Sequence, residues 1–350
     1  MASDQFGYST TLLKYCQYSA SIFDITYIGW DYNAPKIEVD GVKVKYVSRK
    51  SHLIIRNFRL LYAFHKEINK GYDIVFTTYF RGISLIRLLN PKSNMLIYVD
   101  TLGVMFNQTK RNIYDFVLKQ ELLFFNQVAV ISEGLAHRMN LNRYEILPIG
   151  GECFSRNSKS FDEINLLYVG TLKNRNILDC VKGFHRYIKN YRQKEIEISA
   201  RFAIVGDSPD QELVEIKKYI QVNSLEAYIN TAGYIHQNAL KPFFENYNIG
   251  VSYIPNRSYY QYQPPTKTYE YLISGLPVIA TSTYENKNIV KPGLGVIIED
   301  TAESFFEGIL KINEQKSAFN SDIIRNKCSD YKWQSVVTNK FVPLIQKMVQ

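Results

Sequence analysis

Short apolar runs alternate with longer amphipathic stretches along this chain, and the alternation runs through twice. No other property of the sequence narrows the fold as much. In the first series the runs "DITYIG" (24–29), "DIVFT" (73–77), "NMLIYV" (94–99), "QVAVI" (127–131) and "YEILP" (144–148) have strand character. Helical patterns such as 56–68 and 113–124 lie between them. The series restarts with "NLLYVG" (165–170) and continues through "ARFAIVG" (200–206), "AYINTAG" (227–233), "NIGVSYI" (248–254), "LPVIAT" (276–281) and "GVIIED" (295–300). Helical stretches near 176–191, 209–222, 236–246, 266–274 and 302–315 separate them. Strands that alternate with helices form parallel sheets covered on both faces. The expected fold class is therefore α/β, with two doubly wound parallel-sheet domains, at 1–150 and 151–330. The break falls in "PIGGECFSRNSKSFDE" (148–163), where a proline and two glycines precede a polar tail. In open parallel sheets, ligands bind beyond the carboxyl ends of the strands, so the cleft between the domains is the default site.

Bulk properties exclude several classes. At 350 residues the chain is long for a single core, and 46% hydrophobic residues supply two. No apolar run reaches the ~18 residues of a membrane span. The opening "MASDQFGYST" is polar and without a signal-peptide pattern, and the four cysteines are scattered with no CxxC pair. Reduced thiols in a cytoplasmic protein are the expectation. The five histidines have no metal-ligand spacing, so no metal is expected. The net charge is +9. Residues 1–150 hold 18 Lys/Arg against 12 Asp/Glu, a surplus of +6. Such a surface is either simply solvated or attracts anionic lipid or substrate.

One stretch carries chemistry. In "QPPTKTYEYLISGLPVIAT" (263–281), Pro264 and Pro265 prepare a helix start and Thr266 is placed to cap it. Gly275 supplies a left-handed stop, and Pro277 opens the next strand. Lys267 and Glu270 then fall in the first turn or so, where a helix end has unpaired N–H groups and partial positive charge. A lysine there strengthens an anion site, and a glutamate suits a pair of ribose hydroxyls. Local physics equally allows a surface ion pair between residues three apart.

The same stretch resembles the donor-binding segment of GT-B glycosyltransferases, particularly retaining family 4. The resemblance covers the C-terminal half well and the N-terminal half in outline. It implies two Rossmann-like domains facing a cleft, and a nucleotide-sugar donor, UDP-linked, held by the second domain. It implies transfer to a hydroxyl with retention and without a metal, since this fold needs no DxD motif. By resemblance, Glu270 holds the ribose and Lys267 is the basic residue of a P-x-K-x-x-E-Y pattern. "LLYVGTLKNRNILDCVKGF" (166–184) resembles the opening strand-loop-helix of the donor domain. There Gly170 lets the backbone come close to the ligand and Arg175 is the candidate for the diphosphate, its fork matching two oxygens at once. Gly206 and Asp207 read as turn-formers. "NTAGYIHQ" (230–237) resembles the segment against the base, with backbone at Tyr234 and Ile235 placed for the uracil edge. "YKWQSVVTNKFVPLIQKMV" (331–349) resembles the closing helix, residues 331–350, that crosses back to the N-terminal domain.

Three features depart from that pattern. Tyr262 stands where the family has an earlier glutamate that touches the transferred sugar, so sugar identity is open. "QPPT" is bulkier than the usual glycine-rich approach to the helix. And "DQFGYSTTLLKYCQYSASIF" already reads as loop and helix, so the first strand is expected to be missing. An unfilled place would leave an open sheet edge and impair stability or activity.

The N-terminal half should supply the acceptor site. Gly7 and the helix start after it face the cleft in the family. Asp100, at the carboxyl end of the 94–99 strand, is the candidate to orient or deprotonate an acceptor hydroxyl, or else a turn residue. Lys267, Glu270 and Asp100 are the catalytic candidates. Gly170, Arg175, Tyr234, Tyr262, Thr266, Lys267 and Glu270 are the donor candidates. The stretch 49–70 has six Lys/Arg against one acidic residue, Glu67, with leucines, isoleucines and aromatics between. It reads as an ordinary amphipathic helix or one that lies on an anionic membrane surface, contacting the inner face of the cell membrane rather than nucleic acid. The expected acceptor is a lipid-linked or surface glycan. A UDP-sugar epimerase of the same architecture and a catalytically impaired nucleotide-sugar binder are the rival readings.

Overall fold

A computed structural model of the chain describes residues 10–193 and 199–350. The chain divides into two compact units, one of residues 1–149 with 333–350 and the other of residues 150–332.

In the first unit, helix α1 (Thr10–Ser19) is followed by strands β1 (Ile25–Asp31) and β2 (Val42–Ser48), which pair in parallel as a separate ribbon. β2, "VKVKYVS", alternates valine with polar residues, the period of a half-covered strand, although it lies outside the runs predicted above. Helix α2 (Leu53–Ile68) leads to β3 (Val75–Thr78), α3 (Ile83–Leu89) to β4 (Met95–Val99), and α4 (Gln108–Leu122) to β5 (Gln127–Val130). Helix α5 (Glu133–Met139) leads to the short β6 (Glu145–Ile146). β3, β4, β5 and β6 form a four-stranded parallel sheet in chain order. All five residues of β4 are buried, as a strand covered on both faces requires. Ser132 caps α5 through the Leu135 N–H, 3.2 Å away.

The second unit is a six-stranded parallel sheet of strand order β12-β11-β10-β7-β8-β9. Its strands are β7 (Ile164–Val169), β8 (Ala200–Val205), β9 (Ile229–Gly233), β10 (Ile249–Ser252), β11 (Val278–Thr281) and β12 (Gly295–Ile298). Helices α6 (Ile177–Arg192), α7 (Glu212–Val222), α8 (Lys241–Asn246), α9 (Thr266–Ile273), α10 (Tyr284–Ile289) and α11 (Ala302–Gln315) connect and cover them. From the central β7 the chain winds outward to β8 and β9, then returns to β10 on the other side. The gap between β7 and β10 is thus the point where strand order reverses, and strand ends there diverge to leave a crevice. Helix α12 (Ser321–Lys327) closes the unit.

The segment predicted as one closing helix is helical without interruption, α13 (Trp333–Val336) passing through a π-helical turn (Val337–Phe341) into α14 (Val342–Val349), all counted with the first unit. Pro343 has no N–H to give, which accounts for the widened turn before it. Within that unit Phe341 packs against Tyr15 of α1, with ring centroids 4.6 Å apart.

Candidate functional site

Helix α9 begins the site. Its first turn lies beside the carboxyl end of β10 because two buried contacts pin it there. Thr268 Oγ1 lies 2.6 Å from Ser252 Oγ and donates to Asn286 Oδ1 at 3.0 Å. The Tyr271 hydroxyl accepts the Val169 N–H at 2.8 Å, tying the helix to the end of β7. Gly250 in β10 makes room for this docking, since a Cβ there would lie 2.3 Å from the Tyr271 ring. Gly275, at φ +82°, ends the helix as its sequence position predicts. Thr266 does not cap it. The N-cap is Pro265, and Thr266 is the first helical residue, exposed. No side chain caps the helix, and its first turn is closed by the Thr268 N–H, which donates to the Pro265 carbonyl at 2.9 Å.

Lys267 is half-buried, but its Nζ is cut off from solvent and has no hydrogen-bond partner. It sits over the face of Tyr168, 4.1 Å from the ring centroid. Tyr168 is itself fixed by the bond from its hydroxyl to the Thr171 carbonyl at 2.6 Å. Burial pushes the Lys267 ammonium down to about 7, and the charge of Arg175 adds to that push, while Cys180 and Glu270 pull weakly the other way.

Arg175 comes from the loop after β7. Its guanidinium stacks on Tyr260, 4.4 Å from the ring centroid, and its Nε and Nη1 are buried without a partner. The loop gets its shape from Asn174 and Asn176, at φ +57° and +55°, a conformation asparagine tolerates. The Arg175 N–H also donates to the Leu172 carbonyl at 3.1 Å.

Two glycines bring the backbone in. Gly170 ends β7 at φ +146°, and a Cβ there would lie 3.1 Å from Lys267 Nζ. Gly206, at φ +154°, sits so close to Gly170 that a Cβ on it would fall 1.8 Å from the Gly170 carbonyl oxygen. Its turn role, as read from the sequence, therefore includes holding the ends of β7 and β8 together. A third glycine was not singled out. Gly151 lies against the start of α9, with a Cβ there 3.0 Å from Glu270 Cγ. Glu270 itself is half-buried on the same helix, one turn after Lys267.

The remaining expected donor residues are more peripheral. Tyr262 is half-buried and packs against Tyr284, with ring centroids 5.2 Å apart. Tyr234 follows β9 and is exposed. The second unit thus assembles Gly170, Arg175, Lys267 and Glu270 at the carboxyl ends of β7 and β10. It adds Tyr168 and Tyr260, two aromatic platforms that sequence reasoning missed. Their spacing from the cations, 99 and 85 residues along the chain, offers no local signal.

Asp100 belongs to the first unit, directly after β4, where burial raises its carboxyl above the usual range. Gly7 lies outside the described residues. Among the described residues no group of three or more His, Cys, Asp or Glu is placed to hold a metal ion. No helix among them is long and apolar enough to cross a membrane.

What the site can do follows from its chemistry. Two cations converge with three buried, unpartnered N–H-bearing atoms, a helix N-terminus and close-packed glycine backbone. Among the described residues neither cation pairs with a carboxylate. Such an arrangement is unfavourable when empty and is relieved by a multiply charged anion with several oxygens.

Residues 163–315 match the family "Glycosyl transferases group 1". No curated protein matches the chain in sequence. Among solved structures, sucrose-phosphate synthase from Thermosynechococcus elongatus is similar with a TM-score of 0.74 and 17% identity, over 98% of this chain and 93% of that one. The lipopolysaccharide outer core galactosyltransferase WaaB has a TM-score of 0.67 and 15% identity, over 99% and 97%. Anabaena HepE, solved in complex with UDP, has a TM-score of 0.67 and 10% identity, over 88% and 87%. At these identities the likeness speaks to fold, and the fold is that of the GT-B glycosyltransferases, two Rossmann-like α/β units.

Proposed function

We propose that this chain is a glycosyltransferase that takes a sugar from a UDP-linked donor and moves it to a hydroxyl of a lipid-linked or surface glycan. The observation that carries the reading is the half-buried pair Lys267 and Arg175, whose Nζ, Nε and Nη1 are buried without a partner. A diphosphate would meet all three. Lys267 presents a point charge and Arg175 a fork, while the α9 N-terminus adds its partial positive charge. As the glycosidic bond breaks, negative charge grows on the leaving phosphate oxygen. Fixed cations in a site closed to water stabilise that charge most where it is greatest, which lowers the barrier rather than merely tightening binding. In this reading the two side chains do this without a metal ion.

Glu270, one helical turn on, accepts hydrogen bonds from the ribose hydroxyls. Tyr262, in place of an acid, contacts the sugar without charge. Asp100 is the acceptor-side base, its carboxyl raised by burial and so more ready to take a proton than an ordinary aspartate. The acceptor hydroxyl attacks from the face the leaving group departs, so configuration is retained. The match of residues 163–315 to a glycosyltransferase family and the UDP held by Anabaena HepE support the donor class. A lipid-linked acceptor is supported by α2, which exposes Leu53, Ile54, Phe58 and Tyr62 beside the exposed Arg59. Contact with an anionic membrane is therefore part of the reading.

A thermal-shift screen of nucleotides and nucleotide sugars tests it, followed by turnover with and without acceptors. UDP and one UDP-sugar should raise the melting temperature, and uridine should not. A full UDP shift in both Lys267→Ala and Glu270→Ala would remove the site assignment. Epimer formation from a UDP-sugar alone would move the activity to the rival class.

A further inference from the structure

The carboxyl ends of β3 and β4 hold a cation that the donor chemistry does not use. Arg81 comes just after β3 and is exposed. Its guanidinium lies over the ring of Tyr114 in α4, 4.9 Å from the centroid. Tyr79 backs the same ring edge-on, with centroids 5.8 Å apart. The stack holds in place a side chain that at a surface would otherwise move freely. Among the described residues Arg81 makes no ion pair. The carboxylate beside it, Glu121, is committed elsewhere, accepting the Gly82 N–H at 2.9 and 3.1 Å. Asp115 is committed too, accepting the Gly103 N–H at 2.8 Å. The Tyr79 hydroxyl is buried with no hydrogen-bond partner, a polar group left open behind the stack. Burial raises the Tyr114 hydroxyl, Arg81 lowers it and Asp100 raises it again, so the arginine and the acceptor-side carboxylate act on one ring. The surrounding stretch, 49–124, has 12 Lys/Arg against 5 Asp/Glu.

We infer that Arg81, stacked on Tyr114 beside Asp100, is a binding site for a phosphate group carried by the acceptor. The inference rests on the acceptor-side reading of Asp100 and names the class of acceptor that side would take. The N–H groups of a guanidinium lie in its own plane, and the Tyr114 hydroxyl belongs to the ring beneath, so donors meet the ligand in more than one plane. That suits the tetrahedral oxygens of a phosphate better than a planar carboxylate. A phosphate also has the greater charge near neutral pH. Two sources share this chemistry, a soluble sugar phosphate and a sugar joined through phosphate to a lipid. Helix α3, directly after Arg81, exposes Leu85, Leu88 and Leu89, apolar surface that the second would cover.

The test titrates glucose 1-phosphate, N-acetylglucosamine 1-phosphate, glucose and glucuronate into the Lys267→Met chain by calorimetry, so that the donor site is weakened as a competing anion site. At least one sugar phosphate should bind, and more weakly as salt is raised. In the same background Arg81→Gln should weaken that binding by at least ~10-fold, and Arg81→Lys, which keeps the charge and loses the fork, by less. Tyr114→Leu should weaken it by about 2- to 5-fold through loss of the stack. Arg81 is exposed, so its variants should melt with their parent. The same sugar joined by a diphosphate to a short isoprenoid alcohol, in detergent, separates the sources. Tighter binding that Leu88→Ser reduces names the lipid-linked acceptor, and equal binding names the soluble one. Absence of binding by both sugar phosphates, full binding in Arg81→Gln, or glucuronate binding as tight as phosphate overturns the inference. The donor reading fails separately, by absence of a UDP shift in the wild-type chain, and leaves this titration readable.

Discussion

Replacing Lys267 with methionine, which keeps the length of the side chain and removes its charge, gives a prediction with a definite sign. In the folded chain the ammonium is pushed from 10.5 down to about 7. Unfolded, the lysine has its ordinary value. Between these two pH values the unfolded chain binds the extra proton, so stability rises with pH through that window. Below about pH 7 both forms are protonated and the penalty is at its full size, about 5 kcal/mol at roughly 1.36 kcal/mol per pH unit between the two values. From pH 7 to pH 9 the wild-type chain should therefore gain about 2 kcal/mol relative to Lys267→Met, or roughly 4–9 °C in melting temperature. The difference between the two proteins is what matters, since it cancels the titration of all other groups. Melting curves at half-unit steps from pH 6 to 10 measure it. At pH 7 the variant should be the more stable protein and yet lose the UDP shift. A bound diphosphate restores the lysine's charge, so UDP binding to the wild type takes up a proton and weakens as pH rises above 7. Parallel pH profiles for the two proteins, or a methionine variant that keeps its UDP shift, would refute the reasoning.

Three further outcomes follow from the geometry. Glu270→Gln should weaken UDP binding by about 10- to 100-fold through loss of charge-assisted bonds to the ribose. It should leave the thermal shift from inorganic pyrophosphate unchanged, a contrast readable in one titration series. Gly206→Ala should destabilise the chain by about 2–4 kcal/mol in denaturant melts, because its Cβ has no place beside the Gly170 carbonyl and its φ is unfavourable for alanine. Glu67 accepts from Lys45 at 2.6 Å, Lys70 at 2.8 Å and Tyr72 at 2.9 Å. The Lys45 bond, then the Lys70 bond, hold its carboxyl down to about 2. Its stabilising contribution is complete above the ordinary value of 4.5 and is lost as pH falls toward 2. Glu67→Gln should flatten that limb of an acid-unfolding curve.

Much of this was legible in the residues alone. All eleven apolar runs read as strands are strands, because buried parallel strands are marked by continuous hydrophobic segments bounded by turn residues. β2 escaped because alternating valine and lysine was outweighed by its charge. Helix α9 was recognised from its ends, Pro265 before it and Gly275 after it, and these local signals also put Lys267 in its first turn. The capping role of Thr266 was not realised, since proline took the cap position and displaced it by one residue.

Local chemistry thus determined the strand–helix rhythm, the place of Lys267 in the first turn of α9 and the glycines that punctuate the turns, while Arg175 was singled out by resemblance to the family. Only tertiary structure decided what those cations meet. Tyr168 and Tyr260 reach Lys267 and Arg175 because β7, β10 and the loops after them converge where strand order reverses. The depressed lysine likewise arises from burial and from Arg175, 92 residues away. The edges that β1 and β3 leave open among the described residues are decided in the same way. A hydrogen bond in a parallel sheet joins residues far apart in sequence, so no stretch of residues read by itself reveals which edge is left without a partner.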